Sequence, residues 1–119
     1  VVTSSAAEFP DVVLGSRLPV LVDFFADWCG PCHLMSPVLE QVARELAGRI
    51  KVAKVDVDAN AGLASQYGIQ SIPTIVLIRD GREAGRLVGA HPAGALRSWL
   101  EDELEASSRT LQGETQPGE

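Results

Sequence analysis

The stretch VLVDFFADWCGPC, residues 20–32, splits into an apolar run and a cysteine-bearing end. The run belongs to residues 18–26 (LPVLVDFFA), which are nearly all apolar and rich in β-formers. This is the pattern of a strand covered on both faces. After the cysteines the period changes. Leu34, Met35, Val38, Leu39, Val42 and Leu46 form a helical apolar stripe, and Gly48 offers a stop. Pro37 inside that stripe predicts a kink one turn after the cysteines. Cys29 and Cys32 thus stand where a buried strand passes into a helix. The first helical turn has backbone N–H groups without internal partners and carries the positive end of the helix dipole. A thiolate at Cys29 is favoured there, and its pKa is expected to fall towards neutral. Pro31 suits an early helical position. Cys32 lies one turn on, within reach of the first sulfur. A bridge across so short a loop stabilises little, so the pair points to chemistry rather than strength.

Outward from this stretch, strands and helices alternate. Residues 1–4 could form a short edge strand. Ser5 and Glu8 have capping-box spacing ahead of a short helix with Phe9, Val12, Val13 and Leu14 on its apolar face. Pro10 fits that helix poorly beyond its first turn. Residues 50–57 (IKVAKVDV) alternate as a strand does. A short helix over 61–67 ends at Gly68. Residues 74–78 form a strand, and Asp80-Gly81 signals a hairpin into 83–88. The last helix spans about 92–104, with Leu96, Trp99, Leu100 and Leu104 inward. The order βαβαβαββα implies an α/β domain with a mixed sheet and helices on both faces.

The chain of 119 residues suits one domain, with 45% hydrophobic and 22% charged residues. A domain over residues 1–104 is followed by 105–119, rich in Ser, Thr, Gly, Gln and Glu and expected to be a flexible polar tail. The net charge of −6, with no basic stretch, argues against nucleic-acid binding. No apolar run reaches the roughly 18 residues of a membrane span. Residues 1–8 lack the basic and apolar parts of a secretory signal. Two closely spaced thiols and no others suit a reducing compartment, so a cytoplasmic location is expected.

The motifs VLVDFFADWCGPC (20–32), Pro37, VAKVDVD (52–58), YGIQSIPT (67–74), DG (80–81) and VGA (88–90) occur in order, and over residues 1–104 the chain resembles the thioredoxin family. The resemblance implies a central mixed five-stranded β-sheet flanked by four α-helices. It also implies a general protein-disulfide reductase serving electron transport and cell redox homeostasis. Cys29 would be the nucleophile and Cys32 the resolving thiol, the two forming a redox-active disulfide. Attack by Cys29 on a substrate disulfide gives a mixed disulfide that Cys32 resolves.

Asp23, inside an apolar strand, predicts a buried carboxyl with a raised pKa; on a solvated face it would be an ordinary polar residue. By resemblance it handles the proton of Cys32, and Lys54 sits nearby and modulates its charge. Alone, a single Lys in an alternating strand is a solvated side chain. By resemblance Pro73 is cis and turns the backbone of Ile72 towards the cysteines, where an extended substrate can pair with it. Trp28, Gly30, Pro31, Ile72, Gly89 and Ala90 would form a flat apolar collar around Cys29. Trp99 belongs to the core by helical spacing.

Residues 29–33 also spell C-x-x-C-H, a c-type haem attachment pattern, with His33 as proximal ligand and Met35 or His91 opposite. Met35 is only two residues from His33, too close to reach the far face of a haem. A structural zinc site takes four Cys or His ligands, and the chain holds two Cys and two His in all; the resemblance implies no metal and no bound cofactor, only a redox-active disulfide recycled from outside. His33, just after Cys32, would tune the charge of the site near neutral pH. Gly30-Pro31 between the cysteines resembles reductases rather than oxidants of the family. A non-enzymatic binding module would keep the same cysteines and collar. The resemblance implies a monomer acting on proteins that carry disulfides and recycled by an external flavin-dependent thioredoxin reductase.

Overall fold

A computed structural model describes residues 2–3 and 5–113 of the chain. What was expected of Val1, Ser4 and residues 114–119 lies outside the described residues. The elements in order are β1 (Val2–Thr3), a π-wound segment (Pro10–Leu14), β2 (Val20–Phe25), α1 (Gly30–Glu45) and β3 (Lys51–Asp56). Then follow α2 (Ala61–Gln66), β4 (Thr74–Arg79), β5 (Arg82–Val88) and α3 (Ala93–Gly113).

The sheet order is β1-β3-β2-β4-β5, with β2 at its centre. β3 pairs with β2 in parallel and β4 pairs antiparallel on the other side, so the sheet is mixed. The expected five strands are four long ones and one very short edge strand. Four strands of six or seven residues carry the sheet, and β1 adds only the two pairs Val2↔Ala53 and Thr3↔Lys54 at its edge. β2 is also shorter than the apolar run, because Pro19 has no N–H to give the ladder. The Pro19 carbonyl instead accepts the Lys51 N–H at 2.9 Å.

Of the four expected helices, three are α-helices and the first is a short π-wound helix. The capping box at its start forms: the Ser5 N–H meets Glu8 Oε1 at 3.1 Å and the Glu8 N–H meets Ser5 Oγ at 3.3 Å. Past Pro10 the winding widens, and the Gly15 N–H reaches back five residues to the Pro10 carbonyl at 2.8 Å. α1 runs through Pro37, whose missing N–H leaves the His33 carbonyl without its usual helical donor. α3 continues to Gly113, past its expected end at Leu104. A polar composition marks a helix as readily as a tail when its Glu, Ala, Arg, Leu and Gln are good helix formers. The β4–β5 turn has positive φ at Asp80 (54°) and Gly81 (78°), as a tight two-residue hairpin turn requires.

Alternation along β2 sorts the core into two layers. Val20, Val22 and Phe24 point to one face and pack with Phe9, Val13, Leu63 and Val76. Leu21 points to the other and packs with Met35, Leu39 and Val42 of α1, Ile75 and Leu77 of β4, and Leu96 and Leu100 of α3. Asp23 shares the second face, beneath α1. So does Lys54 of β3, since its neighbours Ala53 and Val55 belong to the first layer.

Candidate active site

Cys29 is the N-cap of α1, in extended backbone conformation (φ −88°, ψ 111°), and its sulfur accepts the Cys32 N–H at 3.2 Å. The strand delivers the first cysteine and the first helical turn delivers the second. Their Cα atoms are 5.3 Å apart and their sulfurs are joined in a disulfide. Both are buried in this state: Cys29 is 4% exposed and Cys32 is 3% exposed. Ala26 packs with the pair, and Phe25, Val57 and Ile72 close over it.

Asp23 has no exposed surface, and neither carboxyl oxygen has a hydrogen-bond partner. Burial pushes its pKa up to about 6, against a smaller downward pull from the Lys54 charge. A proton acceptor with a midpoint near neutral pH thus lies on the same face of the sheet as α1. Lys54 lies level with Asp23 across the β2–β3 pair. Its ammonium does not reach the carboxyl. It donates to Ser36 Oγ at 3.3 Å and stands 4.5 Å from the centre of the Phe25 ring.

Around the cysteines the structure brings most of the expected collar together. Trp28 is 72% exposed, and Gly30 and Pro31 are exposed beside it. The Ile72-Pro73 peptide bond is cis. Ile72 packs against the cysteines, and the Pro73 carbonyl accepts the Gly89 N–H at 2.9 Å, joining two loops of the rim. Gly89 has φ of 93°, and no atom lies within 4 Å of where a Cβ would stand. Ala90 follows it on the exposed rim. A groove of about 360 Å³ opens beside the pair, lined by Trp28, Val57, Ile69, Gln70, Ser71 and Ile72 among others.

Other residues shape the site without having been read as part of it. Asp58 Oδ2 accepts the Trp28 indole N–H at 2.8 Å. Arg86 pairs with Glu83 at 2.6 Å and donates to the Tyr67 carbonyl at 2.7 Å, tying β5 to the loop that leads to Pro73. Ser36 holds Lys54. Asp58 closes the VAKVDVD motif, which was a signal; Ser36 and Arg86 carried none. His33 turns its Nε2 to the Asp27 carbonyl at 2.6 Å, on the loop before the cysteines. The sulfurs of the C-x-x-C-H pattern are bonded to each other. Among the described residues, no group of three or more His, Cys, Asp and Glu is placed to hold a metal ion. No helix among them is long and apolar enough to cross a membrane.

The thioredoxin family profile matches residues 1–102. The chain is 47% identical over 100 residues to the thioredoxin of Synechocystis sp., covering 84% of this chain and 94% of that protein. It is 48% identical over 96 residues to thioredoxin 1 of Nostoc sp. (81% and 90% covered) and 42% identical over 98 residues to the thioredoxin of Haemophilus influenzae (82% and 92% covered). With the cysteine pair at the strand–helix junction and this match across nearly the whole folded region, the chain belongs to the thioredoxin family of protein-disulfide oxidoreductases.

Proposed function

We propose that Cys29 and Cys32 reduce protein disulfides in two exchange steps, with Asp23 taking the proton between them. In the reduced protein the Cys29 thiolate, favoured by the α1 N-terminus, attacks one sulfur of a substrate disulfide. A mixed disulfide forms, and the first substrate thiolate leaves and takes up a proton. The Cys32 thiol then gives its proton to the Asp23 carboxylate, directly or by one water, and attacks the Cys29 sulfur. The second substrate thiolate leaves, and the Cys29–Cys32 disulfide closes. Two electrons pass to the substrate. The observation that carries this proposal is the Cys29 sulfur at the helix N-cap, bonded to Cys32, with a fully buried Asp23 of raised pKa on the strand that leads to the pair.

Lys54 tunes the charge of Asp23 from the neighbouring strand. Trp28, Gly30, Pro31, Ile72, Pro73, Gly89 and Ala90 form the surface on which an extended substrate segment lies. The shallow groove that Ile72 lines beside the cysteines favours broad recognition of disulfide-bearing proteins. A monomeric protein in the cytoplasm, recycled by a flavin-dependent thioredoxin reductase and binding no cofactor of its own, fits this role. Residues 1–104 form the working domain, and 105–119 stand outside the chemistry. Insulin reduction by dithiothreitol tests the proposal. The wild-type chain accelerates the reaction and Cys32→Ser does not; equal rates with the two proteins overturn the enzymatic role and leave a binding module.

A further inference from the structure

Lys54 and Asp23 are level neighbours on one face of a parallel strand pair, with opposite charges at neutral pH. In an apolar layer such a pair is expected to close, because attraction strengthens as water is excluded. It does not close here: both Asp23 oxygens lack a hydrogen-bond partner. The ammonium is taken by Ser36 Oγ at 3.3 Å and by the face of Phe25 at 4.5 Å. Ser36 is on α1, four residues after Cys32, so the helix that carries the thiols also carries the hydroxyl that holds the cation.

The geometry points to Ser36 as a positioning residue that holds the Lys54 ammonium away from the Asp23 carboxyl. The inference rests on the role proposed for Asp23 only for its catalytic consequence. The other groups around Asp23 leave Lys54 as the charge that matters. From β4 the level residue is Ile75, which is apolar. Cys29 and Cys32, at the start of α1, do not titrate while joined. Asp56, two residues after Lys54 on β3, is engaged by the Asp58 and Ala59 N–H groups at 2.9 and 3.4 Å. An ammonium held off leaves the carboxyl protonated to higher pH, where it can exchange a proton with Cys32. An ammonium that closed on it would lock it as a carboxylate.

Carbon-13 NMR titration of the Asp23 carboxyl in the oxidised protein tests this, since no thiol titrates in that state. Ser36→Ala frees the ammonium, and the Asp23 midpoint is expected to fall by about one pH unit, as for a carboxyl that gains a close cation. Ser36→Thr keeps the hydroxyl and the wild-type midpoint. Lys54→Met raises the midpoint, and adding Ser36→Ala to it moves it no further. A Ser36→Ala midpoint that stays or rises, or a shift that persists without Lys54, overturns the inference. The pH–rate profile of insulin reduction separates the two roles. A moved midpoint with an unmoved profile supports the hold of Ser36 and overturns the role given to Asp23.

Discussion

The indole N–H of Trp28 donates to the carboxylate of Asp58 at 2.8 Å, across 30 residues of sequence. The bond fixes an otherwise exposed ring on the rim of the groove, next to Cys29. A hydrogen bond to a charged group contributes about 1.5–3 kcal/mol, less where water competes. Asp58→Ala therefore loosens the ring and raises the KM for insulin by about threefold or more, with kcat little changed. Initial rates against insulin concentration check this.

Asp23 makes stability depend on pH. Its pKa is about 6 in the folded chain and near 3.8 when exposed, so the folded state binds more protons between those values. Stability from this group is fully present below about pH 4 and is lost as pH rises through 6. The loss amounts to roughly 3 kcal/mol at full ionisation. Asp23→Asn is expected to be more stable than wild type above pH 6, the difference shrinking steadily to its low-pH value near pH 4. Urea unfolding of the two oxidised proteins at a series of pH values measures it.

Gly89 joins the rim loops through its N–H to the Pro73 carbonyl, at a φ of 93°. An added Cβ meets nothing within 4 Å, so strain in Gly89→Ala is purely conformational. A loss of about 1–2 kcal/mol is expected in urea unfolding. Gly89→Asn recovers part of it, because Asn tolerates positive φ better.

The chain has two tryptophans. Trp99 packs partly buried against the core layer beneath α1, whereas Trp28 adjoins the redox pair. Emission is expected to rise when the disulfide is reduced. In Trp28→Phe the redox-dependent change disappears and only the Trp99 signal remains.

Much of this fold was legible because its period changes at functional points. The apolar run before Trp28 and the helical stripe after Cys32 placed the pair at an N-cap. Burial of Asp23 followed from its strand. Local patterns gave no warning of how far a ladder extends, so β2 stopped short of Pro19. The last helix runs past Leu104 to Gly113, which the polar composition there did not signal. Ser36, Asp58 and Arg86 act through contacts 18, 30 and 19 residues away, and such contacts exist only once the chain is folded. The burial of Cys29 is of the same kind, produced by Phe25, Val57 and Ile72 closing from three segments.

The direction of the chemistry is tested most directly by the reduction potential of the Cys29–Cys32 pair, measured by equilibration with glutathione of known ratio. Gly30 and Pro31 between the cysteines predict a reductant, near the value of about −270 mV known for thioredoxin itself. A potential near −120 mV would make the pair a strong oxidant and contradict its assignment as a disulfide reductase.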